Sequence, residues 1–423
     1  LKSRKTKVTN VGRKRKFLWF VLPFLLGGCS WFTWLPGVEE RDKKDKKEKL
    51  EPAELVKFEP EVTLKRLWRT SIGEGLGKKY LKLSPVVVAD QILAGDGYGM
   101  VVSVDRFTGK RNWRTQFDQL DRGFFSFLNF IDRDDPSFVS GGLGSGAGMV
   151  LLGTTRGEVV ALSLADGSLA WRSQLDTEIL STPAYSDGKI FVQSVNDRIA
   201  ALDEKTGELI WAYDNQTPIL TLRGTSSPTV QNGLVVAGIS NGKVIALRAD
   251  SGEPVWEHRV MLPEGRSELD RIVDVDADPL SLGASIYASS YQGRLKRLSI
   301  RDGRPRWEYK SSSFQDLAEG YGQIYLVDQD DSVHAVDQNT GESIWIQESF
   351  ARRQLSSPSA FSNYVAIGDF DGYLHVIAQR DGRLMGRRKI DRSGIRSNMV
   401  VSEGVLYILT NSGSLQAIQV NLR

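Results

Sequence analysis

Past the first sixty residues, apolar positions come in short runs divided by glycine-bearing turns. The stretch from Ser226, SSPTVQNGLVVAGISNGKVIALRADSGEPVWEHRV, shows the unit. Its four apolar or alternating runs, PTV, LVVAG, KVIAL and PVWEH, are separated by QNG, SNG and DSG. Runs this short, rich in β-branched and aromatic residues, read as strands. Asn-Gly and other Gly-bearing turns accept the positive φ of tight hairpins. The unit is therefore expected to be a four-stranded antiparallel sheet. Its first strand repeatedly opens with a proline, at Pro85, Pro183, Pro228, Pro279 and Pro358, where no ladder donor is lost.

The unit recurs. Gly-x-x-x-Trp appears at Gly109/Trp113, Gly167/Trp171, Gly207/Trp211, Gly252/Trp256, Gly303/Trp307 and Gly341/Trp345. A degenerate copy begins at Gly382 and carries Gly386 in the tryptophan position, and Trp68 stands alone upstream. Trp-to-Trp steps of 38 to 58 residues with short strands are the mark of a β-propeller. Each tryptophan falls on the outermost strand, where a large flat ring can wedge against the next blade. The seven rings, at Trp68, Trp113, Trp171, Trp211, Trp256, Trp307 and Trp345, are thus blade-docking residues first. The last segment, Gly404 to Val420, has middle strands and no Trp strand, whereas the first segment has only the Trp68 strand. Joining them makes an eighth blade from both chain ends and removes the free sheet edges. The expected fold is all-β: an eight-bladed β-propeller of four-stranded antiparallel blades over residues 61–423. A seven-bladed ring is the fallback if the copy at Gly382 is not a blade.

Ahead of the repeats the composition changes. Eight basic residues between Lys2 and Lys16 precede the apolar run Phe17 to Leu26, and then come Gly27, Gly28 and Cys29, the only cysteine. A run of ten is too short to span a membrane, which takes roughly 20 residues, but it suits the core of a signal peptide. Leu-Gly-Gly-Cys resembles the lipobox of bacterial lipoproteins, which implies cleavage after residue 28 and a lipid on Cys29. One cysteine excludes an internal disulfide and a thiolate zinc site. Taking the eight basic residues from the formal net charge of +3 leaves the remainder near −5. The body shows no basic stripe, so nucleic acid is not an expected partner. The stretch PGVEERDKKDKKEKLE is charged or turn-forming, and residues 29–60 read as a lipidated start and a flexible tether.

Other features call for bland readings. The glycine-rich GGLGSGAGMV, Gly141 to Val150, lacks the Gly-Lys-Ser/Thr of a phosphate loop and reads as a flexible connector. The aromatic insertion Arg122 to Phe138 either packs as a lid or forms an exposed contact patch. Asp274, Asp276 and Asp278 alternate as in a calcium loop but lack its glycine and distal glutamate. Asp105, Asp203 and Asp337 are turn-formers, and His258, His334 and His375 fall in strand patterns without metal spacing. No nucleophile motif, catalytic residue, cofactor or metal site is expected.

The pattern Ala-x-Asp-x-x-Thr-Gly-x-x-x-Trp, clearest in the stretches Ala200 to Trp211 and His334 to Trp345, resembles the repeat of pyrroloquinoline-quinone dehydrogenases. Those enzymes place a vicinal cysteine pair over the quinone, and this chain has no such pair. Lipobox, tether and eight tryptophan-docked blades together resemble more closely the BamB family, the propeller lipoproteins of the outer-membrane β-barrel assembly machinery. LTLRGTSSP (Leu220 to Pro228) resembles that family's leucine-arginine loop, and SELDRIVDVDADP (Ser267 to Pro279) its acidic loop. The resemblance implies a non-enzymatic scaffold, held on the outer membrane by its lipid and facing the periplasm. It implies contact with the periplasmic domains of BamA and other subunits through Leu220, Leu222, Arg223, Arg271, Asp274 and Asp276. Unfolded outer-membrane proteins are a further candidate partner. A generic peptide- or cell-wall-binding propeller and a quinone enzyme are the competing classes. The two connections each join the last strand of one blade to the first of the next, so they are expected side by side on one rim.

Overall fold

The structure is a computed structural model that describes residues 51–77, 81, 83–117, 139–215, 220–221, 224–267 and 269–423. Among them, 32 strands, β1 to β32, form eight four-stranded antiparallel sheets. The expected eight-bladed propeller is the fold observed. Seven blades are consecutive: blade 1 runs from β2 (Val86–Val88) to β5 (Arg111–Gln116), blade 2 from β6 (Gly144–Gly146) to β9 (Leu169–Gln174), and so on to blade 7, which ends at β29 (Leu384–Lys389). Blade 8 is made of β30 (Val400–Ser402), β31 (Val405–Leu409), β32 (Ser414–Leu422) and β1 (Val62–Ser71), with β1 on the outside. Val62 pairs with Leu422 and Ser71 with Ser414, so the chain ends close the ring. The innermost strands contact one another around the centre. The prolines stand one residue before those strands, as Pro228 before β14 (Thr229–Gln231), and so leave the ladder donors intact.

Blades pack face to face through alternating apolar residues. Val236, Val244 and Ala246 of blade 4 meet Ile286, Ala288 and Leu298 of blade 5, all fully or nearly fully buried. The outer strands add a bulge beside each docking position. Trp256 pairs with Ala246 while Pro254 pairs with Leu247, which leaves Val255 extra. All eight outer strands shift register at this point. A bulge sharpens the local twist and re-aims the following side chain, here across the seam.

The repeated motif divides between two seams. Each of the seven tryptophans donates its indole N–H to a carbonyl of the next blade, as Trp68 to Arg106 at 2.8 Å and Trp345 to Gln379 at 2.8 Å. The ring then lies on the glycine of that next blade: Trp68 on Gly109, Trp211 on Gly252, Trp345 on Gly382. A Cβ on the seven receiving glycines would stand 2.5 to 2.7 Å from the ring. Their φ of 67 to 78° is in the left-handed region besides. The glycine therefore serves its predecessor's tryptophan, not its own. The turn aspartates hold these hairpins: Asp203 accepts N–H bonds from Lys205 and Thr206, both at 2.9 Å, and these bonds hold its carboxyl below the usual range.

Three expectations change. The glycine-rich stretch is not a loose connector, because Gly144–Gly146 is β6, the inner strand of blade 2. It lies so close to blade 3 that a Cβ at Gly144 would meet the Pro183 carbonyl and one at Gly146 the Tyr185 ring. Hydrogen bonds at Ala53 and Val56 hold the end of the stretch read as the tether, residues 53–60, against blade 7 and the connection that enters it. Among the residues expected to meet a partner, Asp274 is buried, as described below. The aromatic insertion at 122–138 and the Cys29 region lie outside the described residues.

Candidate partner-binding site

The connection at residues 214–228 joins β13 (Leu209–Tyr213) to β14, and the one at residues 260–279 joins β17 (Pro254–Arg259) to β18 (Leu280–Leu282). Since strands in a blade alternate in direction, both connections emerge on one face, and they touch. Gly224 stands where a Cβ would lie 2.8 Å from Cγ of Asp276. The Ser227 N–H donates to the Asp278 carboxylate. The Asp278 N–H in turn donates to Oδ1 of Asp316 at 2.9 Å, and the Asn398 amide donates to the other Asp316 oxygen. A chain of acidic acceptors thus links the connections that lead into blades 4, 5 and 6, and Asn398 ties it to the one that leads into blade 8.

Leu220 is 40% exposed, an apolar side chain held at the rim. Leu222 and Arg223 lie outside the described residues. Arg271 is exposed and Asp276 half-buried, but Asp274 is only 1% exposed. It lies between Val273 and Val275, both buried, and its carbonyl accepts the Tyr291 N–H at 2.9 Å. An acid flanked by two core valines faces inward with them only if it is hydrogen-bonded there, and Asp274 does have interaction partners. Its place is under the rim, as a support.

Two residues passed over in the sequence stand out on this rim. Leu262 and Leu269 are 59% and 66% exposed. Leu269 is held outward by its loop: Ser267 and Asp270 exchange side chain-to-backbone bonds at 3.1 and 3.2 Å, and Gln292 donates to the Leu269 carbonyl at 3.1 Å. Apolar anchors on a braced loop beside charged groups suit a modest protein interface. The signal in the sequence was a leucine enclosed by turn-formers, SELD, where a strand has no place.

Beside the rim, the mouth of the central channel holds a cavity of about 460 Å³ lined by Gly224, Asp276, Asp278, Asp316, Tyr291 and Phe314 among others. The histidines lie in strands, as expected. His334 bridges Tyr309 and Asp328 at 2.9 and 3.0 Å. His375 is fully buried, 3.0 Å from Asp369 and 3.2 Å from Arg387. Burial pushes its imidazole below the ordinary range, Asp369 pulls the other way, and Arg387 and Arg353 add to the lowering.

Comparison with known proteins agrees with this architecture. The family model described as outer membrane protein assembly factor BamB matches residues 128–347 and 329–421. The outer membrane protein assembly factor BamB of Pseudomonas aeruginosa is 39% identical over 369 residues, 87% of this chain and 92% of that protein. The crystal structure of BamB from Moraxella catarrhalis superposes with a TM-score of 0.73 at 24% identity, over 84% of this chain and all of that one. A quinohemoprotein alcohol dehydrogenase from Comamonas testosteroni shares the fold at 13% identity, with a TM-score of 0.63 over 84% of this chain and 76% of its own. With tryptophan-docked blades, a braced double connection and a relative this similar over most of both lengths, the chain belongs to the BamB family of outer membrane protein assembly factors.

Proposed function

We propose that the chain is a non-enzymatic assembly factor for outer-membrane β-barrel proteins. It is held by a lipid on Cys29 in the inner leaflet of the outer membrane and works in the periplasm. Its partners are the periplasmic domains of BamA, with the other assembly subunits around them. The rim formed by Leu220, Leu222, Arg223, Arg271 and Asp276 makes the contact, and Asp274 supports it from below. One observation carries this reading: a chain related over most of its length to proteins named as outer-membrane assembly factors packs its leucine-arginine connection against its acidic one. Arg223 supplies a forked donor and the leucines apolar anchors, the residue types that dominate small interfaces.

The double variant Leu222→Ala, Arg223→Ala is expected to abolish co-purification of BamA from detergent-solubilised membranes. Its circular dichroism and melting temperature should stay near those of the parent. Retained BamA, or loss of BamA only together with loss of fold, removes the rim from the proposal. The anchor has its own check. A fatty-acid probe fed to cells should label the parent chain and leave Cys29→Ala unlabelled, while equal labelling of both would refute lipidation at this cysteine.

A further inference from the structure

Seven of the eight seams carry a tryptophan on a glycine. The seam between blades 7 and 8 does not, and the cause is topological. The receiving glycine sits in the hairpin between a blade's third and fourth strands. In blade 8 those strands are β32 and β1, the two ends of the chain. Without a hairpin there is no glycine to receive a ring, and the donor position in blade 7 is Gly386. A Cβ there would stand 2.6 Å from Cγ2 of Val62, so the place of the ring is taken by the first residue of β1, and the segment that leads into β1 lies beside it.

That leading segment, residues 53–61, is pinned at four points to blade 7 and to the connection that enters it. The Ala53 N–H donates to the Ala351 carbonyl at 2.9 Å, and Arg353 donates to the Ala53 carbonyl at 3.0 Å. Arg387 donates to the Val56 carbonyl at 3.0 Å and lies 5.1 Å from the centre of the Phe58 ring. The Glu61 N–H donates to the Met385 carbonyl at 2.8 Å. Arg383 grips the Glu61 carboxylate through two bonds of 2.9 and 3.0 Å, a forked pair. Arg383 and Glu61 are about half exposed, so this pair is screened and weak beside a buried indole on a glycine. Residues 53–60 belong to none of the strands. They can leave without breaking a ladder.

We propose that residues 53–61 are a releasable clasp over the one seam that has no tryptophan on a glycine, and that the ring opens first at this seam between blades 7 and 8 when the clasp lifts. The seven indole-locked seams hold through that opening. The clasp is also the part of the propeller continuous with the N-terminal lead, so whatever engages that lead acts on this seam before any other.

The test is native-state hydrogen exchange read by mass spectrometry on three proteins: the parent, the full-length variant Arg383→Ala, Arg387→Ala, and a chain starting at Val62. In both altered proteins the amides of β29 and β30 (Val400–Ser402) are expected to exchange about tenfold faster than in the parent, a size set by sub-global opening. Amides of blades 3 to 5 should stay within about twofold of the parent. Unchanged rates at the seam, or equal acceleration around the whole ring, would overturn the clasp. If the shortened chain does not fold, the double variant, which keeps every residue of the clasp, decides alone by the same two outcomes.

Discussion

Replacing Trp256 by alanine is expected to cost about 3–5 kcal/mol of stability, the range for large aromatic truncations in a packed interior. The ring is 8% exposed, its N–H donates to the Ile300 carbonyl at 2.9 Å, and its face lies on Gly303. Alanine leaves a cavity between two sheets that cannot collapse, because the bulged strand holds their spacing. It also orphans the Ile300 carbonyl. Trp256→Phe should recover most of the loss and leave about 1 kcal/mol, the share of one hydrogen bond. Urea unfolding followed by circular dichroism measures both. A loss below about 1 kcal/mol for alanine would mean that packing elsewhere, not the indole, holds the seam.

Arg353→Ala is expected to be as damaging, for a different reason. Arg353 and Asp369 are both buried, with Nε and Nη2 of the arginine 2.9 and 2.8 Å from one carboxylate oxygen. Arg353 also reaches Asp371 at 2.7 Å. Burial works to raise the Asp369 carboxyl, but bonds from His375, Tyr373 and Arg353 outweigh it and keep the group below its usual range. Removing one partner of such a pair typically costs about 3–5 kcal/mol, because the remaining charge stays buried. A depressed carboxyl contributes stability above its unfolded pKa and loses it as pH falls through the folded one. Without Arg353 that carboxyl rises and takes up a proton more readily in the folded state, so the gap between variant and parent should narrow on acidification. Adding Asp369→Asn removes the stranded charge and should restore about half of the loss or more. No recovery in the double variant, measured by the same unfolding at neutral pH, would show that the arginine acts through packing and not through charge.

Strands, turns and blade number were legible because each blade repeats its own local instruction: alternating runs, Gly-bearing turns, a proline ahead of the inner strand. Closure by both ends was legible too, since Trp68 lacks a glycine of its own and the last segment lacks a tryptophan. What escaped depends on neighbours distant in sequence. Gly303 and Trp307 look like one motif, yet they belong to different seams. Gly386 looks like a decayed repeat until the broken hairpin of blade 8 is seen. The inner strand at Gly144–Gly146 has no side chains to alternate, because blade 3 leaves no room for them. Residues 56–60 alternate as a strand would, Val56, Phe58 and Pro60 between Lys57 and Glu59, yet Arg353 and Arg387 hold this stretch rather than a ladder. On the rim, Leu269 and Asp274 exchange their usual places: the leucine is outside on a braced loop and the acid inside among valines.

The pairing of β1 with β32 also sets a clock. The first strand of the propeller finds its partner only when the last residues of the chain are available, some 340 positions later. Until then the stretch from Val62 to Ser71, with Trp68 in it, is an unpaired and partly apolar edge, and Gly109 waits without its ring. Seven blades can form in order behind it, but none of them can complete the circle. A chain that is made or delivered from its N-terminus therefore carries its most adhesive strand longest, and any chain ending before β32 carries it permanently.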